Sequence, residues 1–156
     1  MPDAPLGAAP PFVHEIRVSW ADCDPALIAY TGRIPNFALE AIDAWWEHHV
    51  GVDWYRLNLD RKFGTPFVNL NLSFRSPVTP RHRLRCEVVL RKLGNSSICH
   101  EVRGFQGATL CFDGEFVSVF VQADSLQPRR PPEEILNILL RLERPAAQVP
   151  VPEAAP

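Results

Sequence analysis

Two carboxylates stand two positions apart in Asp22-Cys23-Asp24-Pro25-Ala26, and a Pro35-Asn36 pair begins eleven residues after Asp24. A carboxylate at the end of an apolar, strand-like segment and facing a helix N-terminus offers what acyl transfer needs. One part is a base or nucleophile. The other is a set of backbone N–H donors for a developing oxyanion. Pro25 biases Asp24 towards an extended backbone and aims its side chain off the strand end. Asp22 reads as structural, bonding to local backbone. Cys23 has no histidine placed to activate it and reads as packing. Cys23, Cys86, Cys99 and Cys111 form no CxxC pair, and no Cys/His group has zinc-ligand spacing, so no metal and no cofactor are expected. The histidines His14, His48, His49, His82 and His100 form no catalytic pattern. His48-His49 suits the negative end of a helix dipole, and His100 reads as a hydrogen-bonded strand histidine.

Elements that position these groups follow from hydrophobic spacing. Ile34, Phe37, Ala38, Ala41, Ile42, Trp45 and Trp46 share one face of a helix over 34–50, with Pro35 in its first turn and Gly51 beyond its last. Phe12 to Trp20 reads as a strand before the Asp22–Asp24 run, and Trp54 to Gly64 as a loop. Phe67 to Arg75 reads as a strand. Leu84, Cys86, Val88 and Leu90 alternate with Arg83, Arg85, Glu87 and Arg91, a half-buried strand with a cationic outer face. Ser97–Phe105 and Ala108–Ala123 read as further strands, turned at Gln106-Gly107, with Asp113-Gly114 as a bulge. Pro131 to Arg144 reads as a second, short helix. The order is α+β: a mainly antiparallel sheet packed on one long central helix.

The chain has 156 residues, 46% hydrophobic and 22% charged, with a formal net charge of -2, which fits one globular domain and no nucleic-acid partner. No apolar run reaches a membrane span, and no secretory signal is visible, so a cytoplasmic protein with reduced thiols is expected. Prolines crowd both ends, giving disordered tails at 1–11 and 145–156 around a domain at 12–144.

This layout resembles the hotdog-fold acyl-CoA thioesterases, in particular the 4-hydroxybenzoyl-CoA thioesterase type. The resemblance is carried by Trp20-Ala21-Asp22-Cys23-Asp24-Pro25-Ala26, Pro35-Asn36-Phe37, Gly64-Thr65-Pro66 and Ser73-Phe74-Arg75-Ser76-Pro77. It implies a hotdog fold, with the antiparallel sheet wrapped around the central helix, and hydrolysis of an acyl-CoA substrate. It also implies that Asp24 is catalytic, as nucleophile or as the base that activates water. The start of the long helix then polarises the carbonyl, with Tyr30 and the Gly32 to Ile34 stretch as candidate donors. Gly64 and Thr65 belong to the resemblance. Arg91 and Lys92, with Ser96 in the following Gly94-Asn95-Ser96-Ser97, resemble the family's segment near the nucleotide, where an arginine fork suits phosphate. A homodimer or homotetramer with sites at subunit interfaces is implied as well.

Two features depart from that family. Leu27 stands where it commonly has Gly, and Tyr30-Thr31-Gly32-Arg33 makes the turn about three residues longer. A catalytically silent acyl-CoA or acyl-carrier binding module is the alternative. A hotdog dehydratase is disfavoured, because it pairs a His with an acid on the central helix, and this helix offers Glu40 and Asp43 with His only at its end.

Overall fold

The alternation of buried and half-exposed residues along Leu84–Leu93 (β4) sets the two faces of the sheet. The computed structural model describes residues 10–145. Leu84, Cys86, Val88 and Leu90 are buried, and the intervening Arg85, Glu87, Val89 and Arg91 lie on the outer face. β4 runs antiparallel to Ser97–Gln106 (β5), which runs antiparallel to Thr109–Val119 (β6). The β5–β6 turn uses Gly107 at φ +60, a backbone region that suits glycine. Phe12–Ile16 (β1) adds to the free side of β4, and Phe67–Phe74 (β3) to the free side of β6. The sheet order is β1-β4-β5-β6-β3. Phe63–Gly64 (β2) and Val121–Gln122 (β7) form a separate two-stranded ribbon.

Arg33–Val50 (α1) lies against β1, β4 and β5. Its apolar stripe, Ile34, Phe37, Ala38, Ala41, Ile42, Trp45 and Trp46, is buried as the spacing predicts. Burial of two tryptophans alone is worth roughly 4–6 kcal/mol each by area. The helix ends where Gly51 adopts φ 80 and donates its N–H to the Glu47 carbonyl. An antiparallel sheet wrapped on a long helix is thus the observed fold, with a short C-terminal helix, Glu133–Leu142 (α3), packed on β4 through Ile135 and Leu139.

Several boundaries and features differ from expectation. The first strand ends at Ile16, and Trp20–Asp22 is a 3₁₀ turn that redirects the chain. The stretch read as a loop contains Trp54–Leu59 (α2), capped by Asp53, whose side chain accepts the Arg56 N–H. Asp113-Gly114 is not a bulge. Both residues pair in register with β3 and β5, and the extra residue of β6 is Cys111, opposite the Gly104/Phe105 step. Gly114 instead permits close approach of β3, since a Cβ there would lie 2.6 Å from the Asn71 carbonyl oxygen. His100 is fully buried, and neither ring nitrogen has a hydrogen-bond partner among the described residues. Its ring packs edge-on to Trp45, centroids 4.6 Å apart, so packing replaces the hydrogen bond expected there. The tails expected at 1–11 and 145–156 lie outside the described residues, apart from Pro10, Pro11 and Pro145.

Candidate active site

Asp22 organises the segment that carries Asp24. One carboxylate oxygen accepts the Ser19 N–H (2.8 Å) and hydroxyl (3.0 Å). The other accepts Nε (3.0 Å) and Nη2 (2.6 Å) of Arg33, the first residue of α1. Burial pushes this carboxyl upward, but the Ser19 N–H, the Arg33 guanidinium and the Ser19 hydroxyl outweigh it, and its pKa falls below the ordinary value. The structural role expected of Asp22 is therefore seen.

Asp24 sits on a small hairpin. Cys23 pairs with Ala29, the Asp24 N–H donates to the Ile28 carbonyl (3.0 Å), and the Leu27 N–H donates to the Asp24 carbonyl (2.9 Å). Leu27 holds φ 64, a left-handed conformation that explains why glycine suits this position. Asp24 Oδ1 accepts the Ala26 N–H at 2.8 Å, a local turn bond, while Oδ2 has no partner among the described residues. Ile28, on the return arm of this hairpin, lines a groove of about 310 Å³, whereas Asp24 is not among its lining residues. Ala29, Thr31, Ile34, Phe74 and Val78 also line this groove, giving it a mainly apolar wall.

The start of α1 carries the backbone N–H groups expected as donors. The Tyr30 N–H is engaged by the Asp22 carbonyl (2.8 Å), the Arg33 N–H by the Tyr30 carbonyl (2.8 Å) and the Ile34 N–H by the Thr31 carbonyl (3.2 Å). Pro35 has no N–H. Among the described residues, the N–H groups of Thr31 and Gly32 have no acceptor. A Cβ on Gly32 would lie 2.6 Å from Tyr30 Cε1, so the Tyr30 ring covers Gly32 from one side.

The other expected residues gather elsewhere. Gly64 and Thr65 are buried and line a second groove of about 260 Å³ with Trp54, Asn58 and Val121. Ser96 belongs to the same end of the sheet, its carbonyl accepting the Phe120 N–H as Pro66 accepts the Val119 N–H. Asp24, Tyr30, Gly32 and Ile34 thus lie near the end of β3, at Phe74, and Gly64, Thr65 and Ser96 near its start, at Phe67. Eight strand residues separate the two ends by roughly 23 Å. Arg91 is engaged on the outer face by Glu101 (3.0 and 3.1 Å) and by the Arg144 carbonyl (3.3 Å). Lys92 is exposed, with no ion-pair partner among the described residues.

Sequence reasoning missed the unpaired N–H of Thr31 and Arg33 as the partner of Asp22. Their signal lay in the lengthened turn, but only the folded hairpin pairs Asp22 with Arg33. A His–acid pair involving the central helix also exists, His14 Nε2 to Glu40 Oε1 at 2.9 Å, although its His comes from β1. It is solvent-exposed and lines neither groove. Asp43 accepts the Trp54 N–H (2.8 Å), and burial raises its pKa. Among the described residues, no group of His, Cys, Asp and Glu could hold a metal, and no helix is long and apolar enough to cross a membrane.

A family model described as the thioesterase-like superfamily matches residues 18–139. No curated protein matches the chain significantly. Among solved structures, a thioesterase superfamily protein from Jannaschia sp. CCS1 is 45% identical, covers 89% of this chain and 99% of its own, and superposes with a TM-score of 0.83. A 1,4-dihydroxy-2-naphthoyl-CoA thioesterase from Synechocystis is 18% identical over 86% of this chain and 98% of its own, with a TM-score of 0.75. A gentisyl-coenzyme A thioesterase is 21% identical over 80% and 99%, with a TM-score of 0.72. The last two identities speak to the fold alone.

Proposed function

Because the chain belongs to the thioesterase-like superfamily, we propose that it hydrolyses an acyl-CoA thioester to the free acid and coenzyme A, with Asp24 as the reacting carboxylate. The observation that carries this reading is the unpartnered Asp24 Oδ2, on a hairpin whose return arm lines the apolar groove and close in sequence to the unpaired Thr31 and Gly32 N–H groups. The thioester carbonyl carbon sits within reach of Asp24, its oxygen towards Thr31 and Gly32. In the general-base form, Asp24 takes a proton from water as the hydroxyl adds to the carbonyl carbon. The oxyanion collapses, the C–S bond breaks, and the thiolate recovers that proton. In the nucleophilic form, the Asp24 oxygen displaces the thiolate, and water then cleaves the resulting anhydride. Both forms share one geometry. An acyl chain bound in the apolar groove would displace water from beside the carboxylate. No cofactor is invoked.

A second copy of the chain completes the site. β3 is an edge strand, and Val68, Leu70 and Phe74 are 63%, 43% and 55% exposed. Antiparallel pairing of β3 with its two-fold mate sets the Phe74 end of one strand against the Phe67 end of the other. That pairing unites Asp24, Tyr30, Gly32 and Ile34 of one protomer with the Gly64, Thr65 and Ser96 set of the other. Lys92 is then the cation available to the phosphates of coenzyme A, and Arg91 reaches them only by leaving Glu101. The homodimer is the unit this requires, and a homotetramer would be a pair of such dimers. Four free cysteines suit a reducing compartment such as the cytoplasm.

The test is thiol release from a panel of aromatic and aliphatic acyl-CoA esters, with Asp24→Asn as the matched variant. Hydrolysis by the wild type and a loss of about 10²-fold or more in the variant are expected. Equal rates remove Asp24 from the chemistry. Binding without turnover by both proteins favours the silent acyl-CoA module.

A further inference from the structure

We propose that the Arg33–Asp22 ion pair is a positioning device for this reaction: it fixes the Asp24 carboxylate against the Thr31 and Gly32 N–H groups. The proposal rests on the hydrolysis reading above. Every group assigned to the chemistry lies between the two ion-paired residues, which are eleven positions apart. The pair therefore closes the loop that contains the Asp24 hairpin and both donors. Four bonds converge on the Asp22 carboxylate, two from Ser19 ahead of the hairpin and two from Arg33 behind it. The Asp22 carbonyl adds a fifth tie, accepting the Tyr30 N–H.

One partner stands against local preference and the other is buried. Arg33 occupies the first position of α1, where the helix dipole disfavours a cation. The Asp22 residue is 6% exposed, so its carboxylate has surrendered most of its hydration. A chain breaks such local rules chiefly at functional sites. Arg33 also belongs to the lengthened Tyr30–Arg33 stretch, so the longer turn brings its own restraint.

Arg33→Met keeps an unbranched, flexible apolar stem and removes the guanidinium and its charge. Misplacing reacting groups by about 1 Å costs around a hundredfold in rate. The expected result is a ten- to hundredfold fall in kcat, on the order set by that misplacement, with KM changed less than about twofold. Asp22→Asn should fall similarly, and the double variant should be no slower than the slower single one. Arg33→Lys, which cannot donate two parallel bonds, should recover only part of the rate. A merely structural pair would lower Tm and leave kcat of the folded protein intact, and that outcome overturns the proposal. Amide hydrogen exchange needs no substrate. The hydrogen-bonded amides of Asp24, Leu27, Ala29 and Tyr30 should exchange about tenfold or more faster in Arg33→Met, with β4–β6 unchanged. Unchanged exchange overturns the clamp even if no ester is cleaved. Faster exchange in a protein that releases no thiol supports the restraint and refutes the hydrolysis reading instead. If Arg33→Met does not fold, Arg33→Lys carries both measurements.

Discussion

Acid should destabilise this protein through one side chain, His100. Burial without a hydrogen-bond partner pushes its pKa down from 6.5 to about 3. In the unfolded chain the same imidazole binds a proton below pH 6.5. Between these two values the unfolded state holds a proton that the folded state refuses, so stability falls as the pH falls. The slope is about 1.4 kcal/mol per pH unit, giving about 2 kcal/mol lost at pH 5 and about 4 kcal/mol near pH 3. His49, whose pKa burial and then His48 and Arg144 also lower, acts in the same direction, and Asp22 adds a loss only in the carboxylate range. His100→Phe isolates the effect. It keeps a flat ring edge-on to Trp45, and any overpacking cost is independent of pH. Urea unfolding of both proteins at pH 7 and pH 5 is the assay. The stability difference between them should shift by about 2 kcal/mol in favour of the variant as the pH drops. A difference that stays constant would show that the imidazole is hydrated or hydrogen-bonded in solution, and the reasoning would fail.

Two further outcomes are expected, beside those for Asp24 and Arg33. Leu27→Gly relieves left-handed strain of about 1–2 kcal/mol against a glycine entropy cost of roughly 0.5–1, so Tm should rise slightly, whereas the β-branched Leu27→Val should lose about 1 kcal/mol or more. Equal tolerance of both would remove the strain. Leu70→Lys places a charge on the exposed β3 edge and should yield monomers in sedimentation with thiol release abolished, and an active dimer would refute β3 pairing.

The long helix was legible because seven apolar residues from Ile34 to Trp46 repeat at helical spacing, and β4 because Leu84, Cys86, Val88 and Leu90 alternate with charged neighbours. α2 was not, since six residues with one buried side chain, Leu57, leave no stripe to read. Asp113-Gly114 misled because a glycine in a strand signals a bulge or a close backbone approach alike, and only the register with Asn71 and Leu72 separates them. Asp24 was singled out by its local motif, and the hairpin that carries it follows from the same run. The division of the remaining candidates between the two ends of β3 was not, because a motif records neighbours along the chain and not strand direction. The pairing of Asp22 with Arg33 was likewise hidden until the hairpin bent the chain back.

The sheet order has a kinetic consequence. β4, β5 and β6 are consecutive strands joined by turns at 94–96 and 107–108, whereas β1 joins β4 only after the whole segment between Ile16 and Leu84 is closed. That closure costs roughly 3 kcal/mol more chain entropy than a three-residue turn. The β4–β6 meander is therefore the low-contact-order nucleus on which folding can start, and β1 and β3 dock later, at its margins. The hairpin of Asp24 follows β1, and the edge proposed to pair with its mate is β3. Both halves of the proposed chemistry thus consolidate last, on a scaffold that is already formed.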